Sequence, residues 1–305
     1  MIQISNLEKR LLLISVYAAI GFSVLGIVIG LLVNSQFIFF DGIYSLISVA
    51  LSGLSLLAAK YIGKNDWKRF PFGKDVIEPI VIIIKYTIIF LLVVASLIVA
   101  MISLFQGGRD VAIGVALIYS LVGTVGCFLT YLYFKKHTGK TQSGFLTAES
   151  NQWLIDTFVS AGVLIAFIVA SILQNISSLA YIVPYVDPVM VIIISLYFMK
   201  LPIKGIKASL REVLSMAPKK ELRQEVEQVM VNIEKEYNLA ESFIRVSKTS
   251  KTLWIEVDFV VDNNSKIKTI TDQDKVREEI KQNLSKINYE KWLTISFTSD
   301  RKWAL

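Results

Sequence analysis

Long uncharged runs fill the chain as far as about residue 210, and a mixed charged pattern follows. A bilayer core about 30 Å thick takes roughly 20 apolar residues of helix. Six runs meet that length: Leu11–Val33, Phe37–Ala59, Ile77–Phe105, Val111–Phe134, Phe145–Leu173 and Ile182–Leu201. Each is predicted to be a membrane-spanning helix. The first is too long for a signal peptide, and no small-residue cleavage site follows it, so it is expected to be retained. Away from the run ends, charged residues interrupt them: Asp41 in the second, Lys85 in the third, Glu149 and Asp156 in the fifth, and Asp187 near the start of the sixth.

Beyond residue 210 the period changes. Leu222, Val226, Val229, Ile233 and Tyr237 fall at helical spacing within residues 219–237. Phe243–Val246 and Leu253–Val261 read as strands, joined by a turn over Lys248–Thr252. In the second strand Leu253, Ile255, Val257 and Phe259 alternate with Trp254, Glu256 and Asp258, which predicts one buried face. Asp262–Ser265 is a turn cluster. Thr271 with Asp274 is expected to open a second helix carrying Val276, Ile280, Leu284 and Ile287, before a last strand over Trp292–Phe297. The expected organisation is a six-helix, all-α membrane domain over residues 1–210. A small α+β domain of order α-β-β-α-β, ferredoxin- or metallochaperone-like, follows over residues 211–305.

Composition sharpens this picture. Hydrophobic residues make up 54% of the 305 and charged residues 19%, against about 25% in soluble domains. The net charge of +7 comes mostly from the membrane part, so it reads as topology rather than as affinity for nucleic acid. Lys9 and Arg10 precede the first run. Lys60, Lys64, Lys68, Arg69 and Lys74 surround the loop after the second. Lys135, Lys136 and Lys140 follow the fourth, and Lys200, Lys204 and Lys207 follow the sixth. The alternate loops contain only Arg109. By the positive-inside rule both termini and the tail are expected in the cytoplasm. Cys127 is the single cysteine and His137 the single histidine, which excludes a disulfide framework and any His- or Cys-rich metal cluster. His137 is expected on a solvated basic loop. There is no GxxxxGK[ST] phosphate loop and no nucleophile–base constellation, so neither an ATP-driven pump nor an enzyme is expected.

The chemistry lies in the membrane carboxylates. A charge in the bilayer costs several kcal/mol, so each one is a functional hypothesis. Asp41 and Ser45 are four apart in the second run, as are Gln152 and Asp156 in the fifth. Residues at i and i+4 share a helix face. Two such faces opposed would gather two carboxylates, a hydroxyl and an amide oxygen, and a divalent cation would relieve the repulsion between the carboxylates. The alternatives are local: Ser45 bonding back to a carbonyl, Gln152 bonding to Asp156, Asp41 hydrated at the outer end of its span. Glu149 is expected at the cytoplasmic interface and Asp187, before Pro188, as the cap of the sixth span. Lys85 is expected either to snorkel to the inner surface or to pair with Asp75 or Glu78. The glycines Gly26, Gly30, Gly114, Gly123 and Gly126 are expected to serve helix packing.

Several segments resemble the cation diffusion facilitators, a family of divalent-metal exporters. FFDGIYSLISVALSGLSLLAAK is similar to their second-span metal motif, and FPFGKDVIEP to the loop that follows it. AESNQWLIDTFVSAGVLIA resembles the fifth-span motif. YVDPVMVIIISLYFMK and EVLSMAP resemble the sixth span and the junction to the cytoplasmic domain. The resemblance implies a homodimeric cell-membrane carrier, often driven by inward proton flow, with a metal site at Asp41, Ser45, Gln152 and Asp156. The family's usual set is D-x-x-x-D with H-x-x-x-D, so Ser45 and Gln152 are departures. The remaining donors are hard oxygens, which suit magnesium, manganese or ferrous iron better than zinc. Lys74 stands where the loop often has His, leaving Asp66, Asp75 and Glu78 as its carboxylates. The tail has neither His nor Cys, so its dimer is expected to hold without zinc. The expected function is export of a divalent cation in exchange for protons. The alternative is a non-transporting, membrane-anchored relative that acts as a dimeric interaction protein.

Overall fold

The structure is a computed structural model that describes residues 6–32, 36–64, 66–108, 113–141, 143–176 and 178–304. The chain divides into two compact units, Met1–Leu210 and Arg211–Leu305. Arg109 and the run ends Val33 and Val111 lie outside the described residues, as do the side chains of Lys140 and Asp187 and the surroundings of Gly30.

The first unit is a helical bundle. Its helices are α1 (Asn6–Leu32), α2 (Gln36–Ile62), α3 (Ile77–Phe105), α4 (Ile113–Thr141), α5 (Gly144–Leu173) and α6 (Val183–Phe198), and α7 (Lys200–Val213) begins within it. Six stretches are long and apolar enough to cross a membrane, the last running through α6 into α7. α1 packs chiefly on α2, α4 on α5, and α6 on both α3 and α5. The helix breaks at Met199 because Pro202 follows. Proline has no N–H to give the carbonyl of Phe198, four residues back, and its ring crowds that carbonyl. α4 runs a full two turns past the predicted Phe134 and takes His137 with it. His137 is therefore helical, its Nδ1 2.7 Å from the Tyr133 carbonyl, and not on a loop. Asp187 sits at the fifth position of α6, with Pro188 also inside the helix, so it does not cap the span. The preceding short turn Ala180–Ile182 starts the helix earlier than the Asp-Pro pair suggested.

Glycine sets the spacing of the first two helices. A Cβ on Gly26 would stand 2.6 Å from Gly42 Cα, and one on Gly42 would stand 2.4 Å from Ile27 N. The backbones of α1 and α2 therefore touch where only hydrogen can sit between them. The Ser23 hydroxyl, donating to the Gly42 carbonyl at 3.0 Å, fixes that contact. Gly114, by contrast, faces open space.

The second unit contains α8 (Lys220–Tyr237), β1 (Glu241–Thr249), β2 (Thr252–Val260), α9 (Ile270–Asn283) and β3 (Glu290–Thr298), in the order α-β-β-α-β. The sheet order is β1-β2-β3, with β1 antiparallel and β3 parallel to the central β2. Leu253, Ile255, Val257 and Phe259 lie on the buried face, against Val226, Met230 and Ile233 of α8 and Val276 and Ile280 of α9. The opposite face is not simply solvated. Asp258 is buried under Arg245, which donates to it at 2.6 Å and to the Ala304 carbonyl at 2.8 Å. Trp254 stacks on Trp292 with ring centroids 4.9 Å apart.

The N-cap of α9 lies two residues before the expected Thr271, at Thr269. The Thr269 side chain accepts from Asp272 N, and Asp272 caps Thr269 N in return, closing a capping box. Asp274 instead pairs with Arg277. Hydrogen bonds hold several surface carboxylates below their ordinary range: Asp272 from Thr269, Glu241 from Arg301, Asp262 from Ser265 and Asp300 from Lys302. A carboxylate depressed in the folded state adds stability above its unfolded pKa and loses it as pH falls through the folded value. Residues 211–305 expressed alone should therefore keep a constant melting temperature near neutrality and lose it steadily as pH drops below about 4. Thr269→Ala should lower stability at pH 7 by about 1 kcal/mol, and part of that difference should vanish at low pH as Asp272 protonates. Thermal melts at pH 7 and pH 3 check both points.

Candidate functional site

Asp41 stands one turn into α2, Tyr119 one and a half turns into α4, and Gln152 and Asp156 in the N-terminal half of α5. The Tyr119 hydroxyl donates to Asp41 Oδ2 at 2.6 Å. Gly26 makes room for this bond, because a Cβ there would stand 2.8 Å from the Tyr119 oxygen. Three helices thus meet around one carboxylate. The Ser45 hydroxyl donates to the Asp41 carbonyl at 3.1 Å, the local bond open to any helical serine. Its oxygen keeps lone pairs, but its proton points back along α2.

Asp156 lies within Coulombic reach of Asp41, Lys85 and Glu149. Cys127 of α4 is within reach of both aspartates and shares a side-chain hydrogen bond with Ser160 of α5. Gln152 is only 5% exposed. Its Oε1 has no hydrogen-bond partner among the described residues. Also among the described residues, no group of three or more His, Cys, Asp or Glu is placed to hold a metal. The candidate set is thus two carboxylates supplemented by neutral oxygens.

Nearer the basic-loop ends of the helices lies a second polar centre that spacing did not reveal. Glu149 is completely buried and pairs with Lys85, itself 1% exposed. Glu149 also accepts from the Ser15 and Ser52 hydroxyls, the latter at 2.8 Å. Trp153 Nε1 donates to Ser15 Oγ at 2.9 Å. Glu149 is therefore not interfacial, and Lys85 neither snorkels nor pairs with Asp75 or Glu78. Each is held by the other because a lone charge at that depth costs several kcal/mol. Glu78 instead accepts from Phe145 N at 3.2 Å, and Glu8 accepts from the α5 N-cap Ser143. Both carboxylates face the positive end of α5. Lys74, at the position where the resembled family often has a His, donates to the Lys64 carbonyl at 2.8 Å and lies over the Tyr61 ring, so it closes the end of α2.

Residues 12–214, about two thirds of the chain, match the cation efflux transmembrane domain. The chain belongs to the cation efflux family. It is accordingly a multi-pass membrane protein of a family that moves metal cations. No curated protein matches the chain.

Tyr119 could have been found from sequence only by knowing that α4 faces α2. Removing its hydroxyl should free one Asp41 oxygen. Tyr119→Phe is expected to change the apparent affinity for transported metal several-fold in a vesicle uptake assay while leaving the thermal stability of the detergent-solubilised protein within a few degrees. Gly42→Ala should instead lower that stability and activity together, because two backbones must part to admit the methyl group.

Proposed function

We propose that this cation efflux protein exports a divalent metal from the cytoplasm in exchange for protons, through a site at Asp41, Ser45, Gln152 and Asp156. The observation that carries the reading is the Gln152 carbonyl oxygen, buried with nothing to accept from, on the same helix as Asp156 and one turn before it. An unsatisfied buried acceptor costs about 1–3 kcal/mol. A cation would recover that cost and separate the charges of Asp41 and Asp156. In its absence protons do the same for the carboxylates, and this alternation couples the two flows.

All four donors are oxygen, which favours manganese, magnesium or ferrous iron over zinc. The basic loops put both termini and the α+β domain in the cytoplasm and the spans in the cell membrane. The tail dimerises through apolar and polar contacts without zinc, since residues 211–305 hold no His or Cys. The Ser45 bond back to Asp41 and the Tyr119 bond to the Asp41 carboxylate favour a second reading, a membrane-anchored relative whose site no longer carries ions.

Uptake of manganese and zinc into sealed vesicles, with and without a pH gradient, separates the two. Asp156→Asn is expected to abolish transport of every metal, because one anionic ligand cannot repay the ion's dehydration. Gln152→His is expected to shift preference toward zinc and to steepen the pH dependence near neutrality, since an imidazole proton competes with the metal there. Full activity in the Asn variant, or unchanged selectivity in the His variant, would remove these residues from the transport site.

A further inference from the structure

The Lys85–Glu149 centre does more than the bundle requires. Its members come from four helices: Ser15 from α1, Ser52 from α2, Lys85 from α3, and Glu149 and Trp153 from α5. As a tie alone it is poorly chosen. Replacing a buried ion pair by well-packed apolar side chains is often neutral or stabilising. What an ion pair offers is exchange: the Glu149 carboxylate needs a cation at all times, but not always the same one.

Position makes that exchange useful. Glu149 and Asp156 are seven apart on α5 and so share a face, separated by about 10 Å along the axis. Gln152 lies between them in sequence. Glu149 comes five residues after the start of α5, Lys85 eight after the start of α3, Ser15 nine after the start of α1 and Ser52 ten before the end of α2. All four sit toward the helix ends that carry the basic loops. Any ion travelling from that side to Asp156 along the α5 face meets Glu149 first. Lysine suits the task, because its ammonium is a compact charge on a flexible stem and can swing aside without losing a rigid fork of bonds.

We propose that the Lys85–Glu149 pair closes the route from the basic-loop side to Asp156, and that Glu149 serves as a passing ligand on which the metal replaces the Lys85 ammonium. The Ser15 and Ser52 hydroxyls supply further oxygens to the metal at that station. The swap keeps the carboxylate neutralised at each stage, and the displaced ammonium swings on its flexible stem toward the basic-loop end of α3, where it can be hydrated. The proposal rests on the reading of Asp156 as part of the transport site.

The test uses the full-length protein reconstituted in sealed vesicles, with manganese uptake as the readout. Two double variants keep the buried centre charge-balanced: Lys85→Met with Glu149→Gln, and the exchanged pair Lys85→Glu with Glu149→Lys. Both lack a carboxylate at position 149. Each should stay folded, as judged by its melting temperature, and raise the KM for manganese at least about tenfold, as loss of a partner beside a metal site does. Wild-type KM and maximal rate in a folded double variant would make the pair a structural tie and overturn the proposal. Failure of both variants to fold would overturn it too, by assigning the centre to folding. Asp156→Asn, run alongside, judges the underlying reading by itself: full uptake there would sink the transport site whatever the double variants do.

Discussion

A single carboxylate sets the terms for the membrane bundle. Glu149 is fully buried, and taking a charge that deep costs several kcal/mol unless every lone pair is met. Lys85, Ser15 and Ser52 meet them, and Trp153 orients Ser15. The sequence must therefore bring α1, α2, α3 and α5 to one point at one depth. The glycine contact of α1 with α2 makes this possible from one side, because Gly26 and Gly42 let the two helices run close enough to present Ser15 and Ser52 together. From the other side, Tyr86 follows Lys85 on α3 and accepts from Asn151 of α5, so the two neighbours of the ion pair are bonded as well. Gly205 of α7 leaves room for the Tyr86 ring.

The upper centre is held differently. Asp41 is bonded by Tyr119 of α4, a helix that contributes nothing to the Glu149 cluster. Cys127 of the same helix lies within reach of both aspartates. A movement of α4 against α2 and α5 would thus alter the candidate site without disturbing the lower ion pair, and the reverse holds for Lys85. The two centres share α2 and α5, and each also depends on a helix the other does not use, α4 for Asp41 and α3 for Glu149.

Much of the fold was legible because it rests on periodicity. Six runs of bilayer length, and a tail whose apolar residues switch from helical to alternating spacing, specify the element order without tertiary knowledge. The misplaced features share a cause: they depend on which helices are neighbours. Glu149 sits six residues past Ser143, so from sequence it looked interfacial. Only the packing of α3 against α5 supplies the cation that lets it stay inside. Asp187 read as a cap because Asp-Pro commonly starts a helix, yet the short turn over Ala180–Ile182 had already started one. Thr269 was passed over for Thr271 because both begin a T-x-x-D pattern, and the two differ only in where the β-to-helix change of backbone falls. For the candidate site, i to i+4 spacing identifies residues on a face but not what the face meets. Tyr119 was invisible for that reason, and so was the empty hydrogen-bonding capacity of Gln152.

The charges of the two centres together explain why a variant site need not be a dead one. Lys85 cancels Glu149, so neither of them adds charge to the pair Asp41 and Asp156. Two carboxylates match a divalent cation in charge. The histidine and second aspartate of the usual family pattern would add ligands, and the aspartate would add a charge as well. Replacing them by Gln152 and Ser45 keeps oxygen donors while holding the site at minus two. The loss is one carboxylate charge and one soft donor: nitrogen is gone, and with it the preference for zinc that imidazole confers. The nearby Cys127 does not by itself restore it, because a thiol must first give up its proton to bind a metal. What the four proposed donors share is hard oxygen, a set suited to hard divalent ions.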